Sequence, residues 1–275
     1  MPEIAPVTSS NIVLRDELIL GRRELAARFR ASPSYTAGAK ERLKCIRSSN
    51  TIYHLVAGWA CRVRDFPDGH HAIVDVYLPG DVIGLEGMLF PRSLADVVTL
   101  TSVATEVIDT EGGLADLISC RCTALYVAWL LARRQRRSDR FLAAISSLDA
   151  RGRLATMVLD FYKRLQRQGL ITGSTYNLPL TQTQIGAYLG MTVAHVNRVL
   201  GAFRDEQIAN LERHSVTILD LHSLARLAQT TATARSPADR PCATAFALSQ
   251  AQASSGNGVA RHKGEDHVLS IPLHP

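Results

Sequence analysis

The sequence predicts an α+β protein: an antiparallel β domain near the N-terminus, one long central helix, and a smaller, mainly helical C-terminal domain. Three observations predict it. From about Tyr35 to Asp109, short β-branched runs alternate with turn residues. From Leu114 to Leu148, apolar residues recur at helical spacing. From Ala150 to Ala228, shorter helical segments are interrupted by Gly, Pro and brief β-branched runs. With 275 residues, 46% of them hydrophobic, the chain can build two separate cores.

A first helix is predicted over Asp16–Phe29. Apolar runs follow at Ile52–Val56, Trp59–Val63, Ala72–Leu78 and Val97–Val107. Between them stand Gly58, Pro67-Asp68-Gly69 and Pro79-Gly80-Asp81. Regular turns between such runs indicate a sandwich or barrel. In the long helix, Ile118, Cys122, Leu125, Trp129 and Ala132 step by four, three, four and three, and Arg136 ends the stripe. That stripe can bury itself on a second copy of the helix or on the chain's own β domain; we read it as a dimer helix.

Leu148-Asp149 breaks the periodicity, and a second helix runs from Ala150 to Gln168 before Gly169. A short strand is expected at Tyr176–Leu178. Thr181-Gln182-Thr183-Gln184 has the form of a capping box opening a helix to Leu189. Gly190-Met191 separates it from a helix capped by Thr192 and running to about Gln207, the spacing of a helix-turn-helix. Ile208–Leu211 and Val216–Leu219, around Glu212-Arg213-His214, read as a wing, and Leu221–Ala228 as a closing helix. From Thr230 to Pro275 periodicity is lost among Thr, Ala, Ser, Gly, Pro and Gln, so this tail is expected to be disordered.

The second helix of the pair carries the chemistry. Val193, Val196, Leu200 and Phe203 make an apolar face, while Ala194, Asn197, Arg198 and Gly201 lie opposite. Such a helix suits a DNA major groove. Arg198 can bond both acceptors of a guanine, Asn197 both groups of an adenine, and Ala194 can touch a thymine methyl. His195 and Arg204 flank that face toward phosphates. Thr181, Gln182 and Thr183 offer amides and hydroxyls to phosphate oxygens, beside Thr192 at the second cap. Net charge is +6, and between Arg121 and Arg167 eleven basic residues face only Asp139, Asp149 and Asp160. We expect these cations to help attract phosphates.

These motifs resemble the CRP/FNR family of bacterial transcription regulators, from about residue 15 to 228. Four segments carry the resemblance: Tyr53–Gly58 with Pro79–Gly84, the hinge Leu148-Asp149-Ala150-Arg151-Gly152-Arg153-Leu154-Ala155, Thr181–Gly190, and Thr192–Leu200. The resemblance implies an N-terminal β-roll of double-stranded β-helix or jelly-roll type, a dimerisation helix and a C-terminal winged helix-turn-helix. The expected divisions are 1–14 a flexible N-terminus, 15–113 β-roll, 114–148 dimerisation helix, 149–229 DNA-binding domain, and 230–275 tail. The implied function is regulation of transcription by a homodimer on a two-fold symmetric operator in double-stranded DNA, with RNA polymerase a candidate further partner.

Two departures qualify it. In cyclic-AMP-responsive members the phosphate pocket reads Phe-Gly-Glu and then Arg-Ser-Ala. Here Leu85 follows Gly84, Glu86 is one residue late, and Ala95 and Asp96 stand opposite the Arg-Ser. This argues against cyclic-nucleotide binding, unless a loop shift brings in Arg92 and Ser93. The effector is left unknown, with Gly84, Leu85, Glu86, Arg92 and Ser93 the candidate pocket segment. Gly84–Gly87 looks more like the FNR and FixK side, yet the N-terminal cysteine cluster of its iron–sulfur members is not seen. In the recognition helix, FNR-type members carry Glu-x-x-Ser-Arg; here Ala194 and Asn197 differ and Arg198 is kept.

No cofactor or metal is expected. The five cysteines form no Cys-x-x-Cys pair. Cys120 and Cys122, two apart in the helical segment, should point in different directions and suit a shared metal poorly. His54, His70, His71, His195 and His214 sit in no nucleophile or metal motif, so an enzyme is not expected. Met1–Ser10 has no long apolar run, and no stretch approaches the ~18–20 apolar residues of a membrane span. We expect a cytoplasmic location and no membrane partner. The competing reading is a ligand-sensing or protein-interaction module that does not bind DNA specifically.

Overall fold

Helix α1 (Ile12–Arg30) opens the described chain, four residues ahead of the periodic segment that predicts it. The structure is a computed structural model and describes residues 12–43, 51–69, 71–88, 90, 96–109 and 117–229. Residues 1–11, Cys45, His70, Arg92, Ser93 and the tail 230–275 lie outside the described residues.

Among the described residues, eight strands form the β domain: β1 (Ser34–Ala37), β2 (Arg42–Leu43), β3 (Thr51–Ala57), β4 (Ala60–Asp65), β5 (His71–Tyr77), β6 (Val82–Ile83), β7 (Asp96–Thr99) and β8 (Val103–Asp109). They make two antiparallel four-stranded sheets, ordered β1-β8-β3-β6 and β2-β7-β4-β5. Leu43, Tyr53, Leu55, Ala60, Tyr77, Ile83, Val97 and Val103 fill one core cluster drawn from both sheets. The alternation expected of half-buried strands supplies these residues. Gly58, Gly69 and Gly80 all have positive φ at the turns where the sequence places them.

Helix α2 (Arg121–Ser147) is the long helix. It starts later than the expected Leu114, because Cys120 is extended and acts as its N-cap. That boundary corrects the cysteine geometry: the two sulfurs lie 2.7 Å apart, since Cys120 precedes the helix and turns back toward Cys122. The stripe is unevenly covered. Cys122 is buried, Leu125 and Trp129 are half-buried, and Ile118 and Ala132 are exposed. The face one position on (Tyr126, Val127, Leu130) forms a core with Leu18, Leu25 and Phe29 of α1 and Ile52 of β3. Thus α2 packs on its own β domain along one face and leaves part of the stripe open on the next.

The C-terminal region holds α3 (Ala150–Arg167), β9 (Thr175–Asn177), α4 (Gln182–Leu189), α5 (Val193–Asp205), β10 (Ala209–Glu212), β11 (Ser215–Ile218) and α6 (Leu221–Leu227). A β10-β11-β9 antiparallel sheet makes the wing. The core of this region is continuous with the outer face of the second β sheet. Trp59, Cys61, Ile73, Val76 and Leu78 pack in the same cluster as Leu159, Phe161, Leu165 and Tyr188. Trp59 meets Phe161 edge-on, with ring centroids 5.5 Å apart. Burial pushes the Cys61 thiol up to about 12, consistent with an inert core cysteine. Among the described residues, no helix is long and apolar enough to cross a membrane.

Candidate nucleic-acid interface

The helix pair forms because local chemistry closes each end. The Thr181 hydroxyl accepts from the Gln184 amide (3.2 Å), and the Gln184 side chain accepts from the Thr181 amide (2.9 Å). This is the reciprocal box the sequence predicts. Gly190 ends α4 in the left-handed conformation, with φ 64°. Gly186 is required by close approach: a Cβ there would lie 2.5 Å from the Met191 carbonyl oxygen. The Thr192 hydroxyl then caps α5 through the His195 amide at 3.3 Å.

The buried side of α5 consists of Val196, Val199, Leu200 and Phe203. Val193, expected on that side, is 40% exposed, and Val199 replaces it. The seam therefore rotates slightly from the predicted one. It still meets Ile185 and Leu189 in one cluster. Ala194, His195, Asn197, Arg198 and Arg204 are all exposed. By helical spacing, Ala194, Asn197 and Arg198 share one face. Thr181, Gln182, Thr183 and Thr192 are also exposed, at the openings of the two helices. The Thr181 oxygen is already engaged by its cap, which leaves the amides of Gln182 and Thr183 as the open donors there.

At the wing tip, Arg213 and His214 both have positive φ, 47° and 65°. They are the two loop residues between the Glu212–Ser215 pair. A two-residue hairpin loop of this kind favours Asn-Gly, so both side chains sit in a costly conformation.

The hinge motif also has a physical basis. Asp149 caps α3 by accepting the Gly152 amide at 2.8 Å. Arg153 Nε donates to the Leu148 carbonyl (3.0 Å), tying the end of α2 to the start of α3. A Cβ at Gly152 would lie 2.9 Å from Leu148 Cβ and 3.1 Å from the Leu227 carbonyl oxygen, so α6 closes on this turn.

The basic run behaves differently from its sequence expectation. Arg134, Arg137 and Arg164 point inward and do not present charge to phosphates. Arg137 donates to both carboxylate oxygens of Asp75 at 2.6 and 2.8 Å. Arg134 reaches Asp75 at 3.1 Å, Glu86 at 2.5 Å and the Tyr77 hydroxyl at 2.6 Å. Arg62 adds a bond to Glu86 at 3.0 Å. Arg164, 3% exposed, pairs with Asp81 and donates to the Val76 carbonyl at 3.0 Å. Burial alone would raise the carboxyls of Asp75, Asp81 and Glu86. Arg137 and Arg134 hold Asp75 below its ordinary value, Arg164 does so for Asp81, and Arg134 for Glu86.

These bonds bear on the candidate effector segment. Leu85 is buried and Glu86 is held by two arginines, within a 3₁₀ turn over Leu85–Met88. Between this turn and α2 remains a cavity of about 40 Å³, lined in part by Tyr77, Leu85, Leu130 and Arg134. Sequence reasoning missed this network because its bonded partners are 24 to 83 residues apart in the chain. The one signal was an excess of arginine on a helix facing a domain with acidic strand residues.

The fold and this surface define a winged helix-turn-helix protein whose reading domain is docked on a β-roll. A family model described as a Crp-like helix-turn-helix domain matches residues 152–227. The matched segment takes in α3 to α6, and the relatives below resemble the chain over more of its length. It is 27% identical over 161 residues to the transcriptional regulatory protein btr of Bordetella pertussis, covering 58% of this chain and 65% of that protein. It is 24% identical over 192 residues to the anaerobic regulatory protein of Haemophilus influenzae, covering 68% and 72%. The alignment with the first spans a little under two thirds of that relative's length. In fold, the chain matches FixK2 of Bradyrhizobium japonicum with a TM-score of 0.63 at 20% identity, covering 74% of this chain and 98% of that one.

Proposed function

We propose that this protein is a sequence-specific DNA-binding regulator of transcription that acts as a homodimer on a two-fold symmetric operator. One observation carries the reading: a capped, well-packed helix pair presents Ala194, Asn197 and Arg198 to solvent on one face of its second helix. Arg198 reads a guanine and Asn197 an adenine, while Ala194 meets a thymine methyl. The amides of Gln182 and Thr183, the Thr181 and Thr192 ends and His195 position the helix on phosphates. Two copies, joined along the open part of the α2 stripe, place their recognition helices in half-sites about 34 Å apart.

The β-roll pocket is not offered as a cyclic-nucleotide site. Glu86 is already engaged by Arg62 and Arg134, and Ala95 and Asp96 stand where cyclic-AMP-responsive members of the resembled family carry Arg-Ser.

Selection of bound duplexes from a random pool, followed by gel shift with the winning site, tests the proposal. Arg198→Ala should cost about 1–3 kcal/mol on that site and relax the base preference at one position per half-site. Sequence-specific binding left intact by Arg198→Ala would remove the reading residue. A monomer by light scattering at micromolar concentration would remove the dimer.

A further inference from the structure

Cys120 and Cys122 stand at the start of α2 with Arg121 between them. Cys120 is the N-cap, with extended backbone (φ −96°, ψ 126°), and Cys122 lies in the first turn. That change of backbone, from extended to helical across one residue, brings the two sulfurs face to face at 2.7 Å. Both cysteines are free thiols. A small rotation of either side chain brings the pair to bonding geometry.

The two thiols are unlike. Cys120 is half-buried, whereas Cys122 is buried at 3% exposure. Contact with the Cys122 sulfur, helped by the backbone amides of Thr123 and Cys122, holds the Cys120 thiol below its ordinary value of 9.0. The same contact pushes the Cys122 thiol up. Cys120 is thus the readier thiolate, at the positive end of a 27-residue helix, and Cys122 keeps its proton beside it. The backbone of Cys122 is also pinned. A Cβ on Gly21 of α1 would collide with the Cys122 carbonyl oxygen, so α1 and α2 cross in direct contact there. A packed helix crossing therefore holds one sulfur, and the other waits at its half-open entry.

We infer that Cys120 and Cys122 form a reversible dithiol–disulfide site oxidised by hydroperoxides, with Cys120 the attacking sulfur and Cys122 the resolving one. The Cys120 thiolate attacks the terminal peroxide oxygen and the O–O bond breaks. The leaving alkoxide takes up the proton that Cys120 released, and Cys120 becomes a sulfenic acid. The Cys122 sulfur then attacks the sulfenic sulfur; hydroxide leaves with the Cys122 proton as water, and the S–S bond forms. In sum, two thiols and one hydroperoxide give one disulfide, one alcohol and one water, with two electrons passing from sulfur to peroxide. A disulfide closed over the single residue Arg121 is reopened by exchange with a dithiol, which is oxidised in turn. The bond ties the N-cap to the first turn of the helix that carries the open stripe. Its consequence for pairing two copies rests on the homodimer proposed above; the bond itself does not.

The test uses the full chain without DNA. Reduced protein is treated with hydrogen peroxide, remaining thiols are blocked with iodoacetamide under denaturing conditions, and intact and peptide masses are measured. The expected product has lost two hydrogen atoms, carries a Cys120–Cys122 link within one peptide, and returns to its starting mass with dithiothreitol. In the native, reduced protein, iodoacetamide should label Cys120 on the order of tenfold faster than buried Cys61. Cys122→Ser should stop at a Cys120 sulfenic acid, trapped by dimedone, and Cys122→Ala should do the same where serine disturbs the packing. Cys120→Ser should leave Cys122 reduced over the same interval. Four results would overturn the proposal. They are thiols unchanged by excess peroxide, a Cys120 sulfinic acid without a link, a link from either sulfur to another cysteine or to a second copy of the chain, and oxidation of Cys122 in Cys120→Ser as fast as in wild type.

Discussion

Two arginine-bearing surfaces of this molecule end their charges in opposite ways. On α5, Arg198 is exposed and, among the described residues, makes no ion pair; its neighbours Ala194 and Asn197 are equally open. On α2 and α3, Arg134, Arg137 and Arg164 turn inward onto Asp75, Glu86 and Asp81 of the β domain. An arginine therefore stays exposed where its helix has an apolar face already matched by a neighbouring helix. It locks inward where it faces a carboxylate across a domain boundary. The first arrangement leaves donors open; the second sets where the C-terminal helices sit on the β domain.

The comparison can be broken most forcefully at Arg164. Arg164→Met leaves Asp81 buried without its cation and should destabilise the protein by about 3–5 kcal/mol in urea unfolding. Pairing it with Asp81→Asn should recover part of that loss, which a purely steric effect would not do.

Acid acts on the same network more gradually. The folded carboxyls of Asp75, Asp81 and Glu86 sit below their ordinary values of 3.8, 3.8 and 4.5. Their stabilising contribution is thus complete above about pH 5 and is lost as pH falls through the lower folded values. Unfolding midpoints should fall modestly below about pH 6.5, where buried His54, with its pKa lowered by burial, favours the unfolded state, and drop steeply below about pH 4 as these carboxyls protonate. A midpoint that is flat to pH 3 would show that these pairs do not hold the domains together.

The wing gives a smaller effect of opposite sign. Arg213→Asn with His214→Gly relieves two left-handed side-chain-bearing residues and should stabilise by about 1 kcal/mol. If the double variant also loses DNA affinity, the strained Arg213 is a contact to the duplex. Smallest of all, Arg198→Ala should change folding stability by no more than about 0.5 kcal/mol. That near-silence, beside its loss of DNA affinity, separates an outward-reading arginine from an inward-locking one.

Much of the fold and of the candidate site was legible because local chemistry decides it. The Thr181/Gln184 box, the Thr192 cap, the Gly190 end and the Arg213-His214 turn all lie within a few residues of the groups they satisfy. Period-two and period-3.6 patterns likewise separate the β domain from the helices. Errors came where an element boundary or a distant partner intervened. Cys120 caps α2 and does not belong to it, so its sulfur meets that of Cys122. Val199 replaces Val193 in the α5 seam because the facing surface, and not spacing alone, selects the buried side.

What the sequence by itself determined is the set of elements, most of their caps and turns, and the exposure of Ala194, Asn197 and Arg198 on α5. Only the tertiary structure decided which of the eleven cations between Arg121 and Arg167 are available. Arg164 finds Asp81 across 83 residues and Arg137 finds Asp75 across 62. Helical periodicity reports which side of a helix is apolar. It carries no information about which distant carboxylate a buried guanidinium will meet, because that pairing is set by how the helices after the β domain come to rest against its sheets.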